Sequence, residues 1–537
     1  MTQQHLAHID GAPLAHQEDL VWIGDVPTLG AQRYPGRLAI IHPDRNVQMT
    51  YRELDQRADA FVALMKAHGI KQGARVAYLG RNSDVFVPVF YGAIRHGVVL
   101  VPLNWRLTAP ELAFQLADSR AALVICDADF RTTLSQAIEP LEPKPVVIQT
   151  DDGPDGQDLR TLLKKQAPHS VVPHDPDQTF LQLYTSGTTG RPKGVLVSHL
   201  AFSMSRHAER MCPDFDHYGE GAMSLSAMPN FHIGGLSWVM MGLLRFGTVV
   251  LTADATAGNL LRLMQTFKVG HSFIVPTVLR DIVETLRSSR ATAPPIEGIF
   301  YGAMPMSESL LRECLGLFGN CKFVQFFGMT EIAGACTRLA PADHDLSRPQ
   351  LLKSVGKPYP GAALEIRGPD RRVLQLKQHG EIWIRSPSMM QGYWQQPDKT
   401  QEAVVDGWYA SGDGGYLDEQ GYLFLTDRIK DMIVSGGENV YPVEVEEALR
   451  QHPAVLDAAV VGAPHERWGE MVIAVVELRP DKHASEDELR GFARERIAGY
   501  KCPKVFKFMP ALPRTSSGKV KRADLRTMAK EWVGVKQ

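Results

Sequence analysis

Phe180–Ser198 reads FLQLYTSGTTGRPKGVLVS, an apolar run that enters a polar loop and leaves it as a second apolar run. Phe180–Tyr184 and Val195–Ser198 read as strands. Between them stand four hydroxyls (Thr185, Ser186, Thr188, Thr189), three glycines (Gly187, Gly190, Gly194) and two cations (Arg191, Lys193). Glycine lets backbone N–H groups approach an anion closely. Hydroxyls donate to phosphate oxygens, and lysine adds a point charge. The set suits a triphosphate or its pyrophosphate. A solvated hairpin turn needs only one or two such residues, so this density argues against one. A P-loop is excluded, because Gly187 and Gly190 are three apart and Gly194 follows Lys193 where Ser or Thr should stand. Gly518-Lys519 fails the same test, with Pro513 in place of the upstream glycine.

Outward from this loop, strand and helix signals alternate. Thr50–Glu53 reads as a capping box before an apolar stripe at Leu54, Ala58, Phe61, Val62 and Met65, and Gly69 fits the helix end. Arg75–Leu79 reads as a strand, 84–96 as a helix and Val98–Pro102 as a strand. The pattern returns from about 180 to 330, and it predicts buried, mostly parallel βαβ sheets. From 355 to 428 the strands Ala363–Ile366, Glu381–Ile384 and Tyr422–Leu425 are separated by Gly, Pro and Asp turns, which suggests a β-rich subdomain. After Arg428, a helix opened by Pro442 and strands at Asp457–Val461 and Met471–Val476 precede a second capping box, Ser485–Glu488. The expected fold is therefore α/β. An N-terminal domain spans 1–428, with its β-rich part at 355–428, and a small α+β domain follows at 429–537.

The 537 residues exceed what one core supports. A net charge of -2 offers nothing to a polyanion, so nucleic acid is not expected as a partner. The six cysteines (126, 212, 314, 321, 336, 502) form no CxxC pair and read as reduced, buried thiols of a cytoplasmic protein. The first twenty residues lack a basic start and an apolar stretch, so no signal peptide is expected. Phe231–Leu251 is long enough to cross a bilayer, but His232, Arg245 and its glycines mark a buried core segment.

Tyr184–Gly194 resembles the signature loop of the adenylate-forming superfamily: acyl-CoA synthetases, peptide-synthetase adenylation domains and beetle luciferases. Further stretches resemble that family's motifs in order, over nearly the whole chain. FYGAMP at 300–305 is similar to the segment lining adenine, which implies that Gly302, Ala303 and Met304 do so here. QFFGMTE at 325–331 resembles the motif Y-G-x-T-E. It implies an aromatic on adenine, Thr330 at the α-phosphate, Glu331 on Mg²⁺ with Thr185, and Phe326, Gly328 and Met329 beside the nucleotide. Phe327 stands where tyrosine is usual, so stacking is kept and the hydroxyl is lost. WYASGD at 408–413 implies a ribose contact from Asp413, with Arg428 as a second. Lys430 falls at the family's interdomain hinge, and Gly436-Gly437 at the turn lining the pantetheine tunnel. PRTSSGK at 513–519 resembles the last motif and makes Lys519 the mobile catalytic lysine. PNFHIGG at 229–235 resembles an element beside the acyl pocket. Phe231, His232, Trp238, Gly328 and Ala333 are then expected around the acyl group, with His232 a pocket residue rather than a base.

The resemblance implies an ATP-dependent ligase that uses Mg²⁺, makes acyl-AMP and pyrophosphate, and passes the acyl group to coenzyme A. The pocket residues are apolar or small, and no cation for a second carboxylate stands out. A fatty, aryl or alicyclic monocarboxylic acid is therefore expected. The partners are this acid and coenzyme A, with no transmembrane segment; a homodimer is compatible. A stand-alone adenylation enzyme that loads a carrier protein, a non-catalytic nucleotide-binding homologue and a luciferase-like oxygenase remain as alternatives.

Overall fold

The computed structural model describes residues 6–14, 19–151, 158–185, 192–304, 306–428, 431, 433–435, 438–465, 468–515 and 518–533. Among these the strands form four sheets.

The first sheet is built around the opening stretch. Thr179–Thr185 pairs antiparallel with Lys193–Ser198, with Tyr184 opposite Gly194 and Thr185 opposite Lys193. Thr179–Thr185 runs parallel to Val99–Leu103, which continues through Arg75–Leu79 and Ala121–Cys126 to Val146–Gln149. Gly392–Tyr393 closes the other edge against Lys193–Ser198. A Cβ on Gly194 would lie 2.6 Å from the Gln182 side-chain nitrogen, so a larger residue there has to displace that side chain.

The second sheet has nine strands, and its central run from Leu38–His42 to Lys322–Met329 is parallel. Antiparallel strands cap both edges, Val47–Thr50 on one side and Gly334–Leu339 on the other. The helices between strands follow their sequence signals. Thr50 and Glu53 make the reciprocal capping box that starts Tyr51–Ala67, whose Leu54, Ala58, Phe61, Val62 and Met65 are all buried. Ile233–Leu244, from the most apolar window, is a core helix that leads into the strand Thr248–Leu251. Among the described residues no helix is long and apolar enough to cross a membrane.

The third sheet is antiparallel and holds Ala363–Arg367, Gly380–Arg385, Trp408–Leu417 and Leu423–Arg428. Its edge strand comes from the far end of the chain, where His8–Asp10 pairs with Ala363–Arg367. The fourth sheet contains Ile433–Ser435, Glu438–Val440, Val455–His465, Gly469–Leu478 and Val505–Phe508. Its alternation separates two faces. Ala458 and Val460 pack with Val472, Ala474 and Val476 under the helices Pro442–Arg450 and Glu486–Arg494. Ala459, Val461 and Ala463 pack with Ile473 and Val475 under Arg522–Trp532.

Candidate active site

Two adjacent parallel strands, Gly298–Gly302 and Lys322–Met329, end side by side with Gly302 opposite Phe326. Ligands of open parallel sheets gather beyond such strand ends. Close backbone approach dictates the glycines here. A Cβ on Gly302 would sit 2.3 Å from the Phe326 carbonyl oxygen, and one on Gly328 2.0 Å from that of Gly334. Ala303 follows in the left-handed region, at φ 63°, and is exposed. Met304 lies half-buried beside it.

Phe326 and Phe327 point to opposite sides of their strand. Phe326 joins an aromatic cluster, 5.5 Å from Phe300 and 5.8 Å from Phe273 by ring centres. Phe327 is half-buried against the main core. Beyond Met329 the chain makes the short turn Thr330–Ile332 and ends it at Ala333, buried at φ 50°.

The Glu331 carboxylate is buried and accepts a hydrogen bond of 3.1 Å from the Tyr393 hydroxyl. The Glu331 carbonyl oxygen accepts another, 2.7 Å, from the Met390 N–H. Burial, followed by the Glu331 charge, raises the Tyr393 phenol above its ordinary range and keeps it a donor. The Lys193 ammonium sits 4.5 Å from the centre of the Tyr393 ring. Lys193, Tyr393 and Glu331 thus form one row, with Thr185 opposite Lys193 in register. Sequence reasoning missed Tyr393; its one local signal is the Gly392-Tyr393-Trp394 run, held by a Trp394 N–H bond to the Gly194 carbonyl.

Asp413 pairs in register with Arg428 across two antiparallel strands. Gly412, at φ 71°, turns the chain before it, and the Asp413 N–H donates to the Ser411 hydroxyl at 3.1 Å. Burial, with the Asp413 charge, pushes the thiol of Cys336, on the strand Gly334–Leu339, up to about 12.

The segment with Lys519 comes from the other end of the sequence to the same strand ends. Gly518, at φ 83°, faces Met304, whose sulfur would lie 3.4 Å from a Cβ there. The Lys519 N–H donates to the Thr515 hydroxyl at 3.2 Å. Burial, with the Lys519 and Arg106 charges, pushes the His232 imidazole down to about 4, so it is neutral at pH 7. His232 caps the helix Ile233–Leu244, and its Nε2 is buried with no hydrogen-bond partner among the described residues.

Phe231 packs against His232, with ring centres 4.5 Å apart. Trp238 is only 1% exposed, donates its indole N–H to the Leu225 carbonyl and lies tilted against Phe300, ring centres 4.9 Å apart; it backs the aromatic cluster. Ser186, Gly187, Thr188, Thr189, Gly190, Lys430, Gly436 and Gly437 lie outside the described residues, as does the Arg428 side chain.

The arrangement gathers the Lys193–Tyr393–Glu331 row, the hydroxyl of the Thr330 turn and the remote Lys519 segment around one pair of strand ends. Such a set can hold a polyphosphate and stabilise charge developing on it. The model of the AMP-binding enzyme family matches residues 29–394, and that of the AMP-binding enzyme C-terminal domain matches 444–519. A fatty acid–[acyl-carrier-protein] ligase, ScoC of Streptomyces coeruleorubidus, is 36% identical over 95% of this chain and 97% of its own length. The long-chain-fatty-acid–CoA ligase FadD13 of Mycobacterium tuberculosis is 33% identical over 92% of this chain and 95% of its own. The solved structure of the Bacillus subtilis o-succinylbenzoate coenzyme A synthetase MenE with ATP and magnesium superposes with a TM-score of 0.81, at 31% identity, over 93% of this chain and 99% of that one. On its motifs, its fold and these matches, the chain belongs to the AMP-binding enzyme family.

Proposed function

We propose that this chain is an AMP-forming acid:coenzyme A ligase. The observation that carries the reading is the convergence of Met304, the Thr330–Glu331 turn and the Gly518-Lys519 segment on one pair of strand ends.

A carboxylate is a poor electrophile. In the first step its oxygen attacks the α-phosphorus of ATP. The bond to the bridging oxygen breaks, pyrophosphate leaves with the electron pair, and acyl-AMP remains. Negative charge builds on the α-phosphate and the leaving group, so catalysis is mostly positioning and charge stabilisation. Lys193 and the 185–190 loop hold the β- and γ-phosphates, Thr330 and Lys519 meet the α-phosphate, and Asp413 with Arg428 takes the ribose. The buried Glu331 carboxylate and the Thr185 hydroxyl are hard oxygen donors that fit Mg²⁺. That ion supplies positive charge to the phosphates when bound. In the second step the coenzyme A thiol, losing its proton, adds to the acyl carbonyl and AMP departs. We place the domain boundary at Arg428, with Lys430 as the pivot that carries Lys519 out and Gly436-Gly437 in between steps. The reading keeps the cytoplasm as compartment, in line with six free, buried thiols, and a homodimer is compatible with a site built within one chain.

The likeness to a fatty acid–[acyl-carrier-protein] ligase favours one second reading, in which a carrier protein takes the acyl group. Acids of graded length and aromaticity, incubated with ATP, are expected to release pyrophosphate. Adding coenzyme A is expected to yield the thioester faster than adding holo-carrier protein. Carrier loading with coenzyme A inert would overturn the proposed acceptor.

A further inference from the structure

Behind the turn that carries Glu331 lies a buried cation that sequence reading did not find. Arg206 sits on the helix His199–Arg210 and is 1% exposed. Its Nη2 donates to the Ser205 hydroxyl at 2.9 Å and to Glu209 Oε1 at 2.7 Å. Its Nε and Nη1 have no hydrogen-bond partner among the described residues, and neither do Glu209 Oε2 and the Ser237 hydroxyl. Arg245, the next cation, is committed to carbonyls: it donates to Tyr218 at 2.8 Å, Met241 at 3.3 Å and Glu209 at 3.5 Å. Arg206 is therefore the guanidinium left to pair with the Glu209 carboxylate, and two of its nitrogens stay unmet among the described residues.

This group borders the expected acyl side of the site. Gly334 stands three residues past Glu331, at φ 137°. A Cβ there would lie 2.7 Å from Arg206 Nη2, 3.3 Å from Ser205 Oγ and 3.5 Å from Ser237 Oγ. The site turn thus runs directly over the guanidinium and two hydroxyls. Ser237 lies on the helix that His232 caps. A wholly buried cation with unmet donors is costly unless an acceptor meets them. Burial lowers the Arg206 guanidinium and raises the Glu209 carboxyl, as expected where water is excluded.

We propose that Arg206, Ser205 and Ser237 form the far wall of the acyl pocket and select acids that carry an oxygen acceptor, such as a hydroxyl or keto group, remote from the reacting carboxylate. This rests on the reading of the chain as an acid-activating ligase. It narrows the apolar acid expected from sequence to one with a polar end. A site that offers donors discriminates against an analogue with nothing to accept them.

The test measures pyrophosphate release for pairs of acids of equal length, plain and distally oxygenated. Wild type is expected to favour the oxygenated member in kcat/KM by about 10- to 100-fold, the span a hydrogen bond to a charged group carries. Arg206→Met combined with Glu209→Gln removes both buried charges together, and is expected to bring the ratio near one. Ser237→Ala leaves the ion pair intact and is expected to lower the ratio part of the way, which keeps the test readable if the double variant does not fold. A wild-type ratio near one, or a ratio unchanged in the variants, would overturn the inference while leaving the ligase reading intact. No pyrophosphate with any acid would overturn both.

Discussion

Lys519→Ala is expected to slow acid-dependent pyrophosphate release by about 100- to 1,000-fold, the range for removing one preorganised charge donor from a transition state. The same variant is expected to convert supplied acyl-AMP and coenzyme A to thioester at close to the wild-type rate. The asymmetry follows from where the charge is needed. In the first step the α-phosphate gains charge and pyrophosphate leaves, and the proposed role makes Lys519 the cation brought from the end of the chain. Its segment reaches Met304, and its charge helps hold His232 neutral. In the second step AMP is the leaving group, and the proposed rotation has carried Lys519 away. Stopped assays of the two half-reactions separate these cases, and equal loss in both would contradict the assigned role.

Acid is expected to unfold the protein well above the ordinary carboxylate range. His199, His271 and His344 are 0%, 1% and 9% exposed, and burial pushes them down to about 4, about 3 and about 4. The bonding of His199 needs the neutral ring. His199 Nε2 accepts from the Gly24 N–H at 3.1 Å, and His344 Nδ1 donates to the Ala340 carbonyl while Nε2 meets the Tyr301 hydroxyl at 3.0 Å. A folded value below the unfolded one means that the unfolded chain binds protons the folded chain refuses. Stability is therefore full above about pH 6.5 and falls as pH drops towards 4. At pH 5 each ring costs on the order of 2 kcal/mol, and three together approach the whole stability of a typical domain. The carboxylates shift both ways: burial raises Glu209, whereas Arg450 lowers Asp457 against its burial. The histidines therefore set the slope. Urea midpoints at pH 7 and pH 5 check this, and equal midpoints would contradict it.

Local signals survived folding where one short-range cause acts alone. The capping boxes at Thr50 and Ser485 start helices as read, because each needs only two side chains three residues apart. Arg75–Leu79 and the Pro442 helix came out as their apolar spacing predicts. Pairings that join distant segments left no such trace. Nothing in HID at 8–10 announces an edge strand for Ala363–Arg367, since register there depends on a partner more than 350 residues away. Arg206 was invisible for a related reason. In SMSRHAER it reads as the polar face of a surface helix, and only the fold brings the Gly334 turn over it. The site motifs were legible as text, but the grouping of Lys193, Tyr393 and Glu331 came from strand pairing across the first sheet.

The proposed ligase activates its acid as an adenylate and then hands it to coenzyme A. Identifying every product formed from ATP, an accepted acid and coenzyme A decides whether this route is followed. AMP, pyrophosphate and acyl-CoA are expected in equal amounts, with acyl-AMP accumulating when coenzyme A is withheld. ADP with inorganic phosphate, or pyrophosphate release independent of any acid, would contradict it.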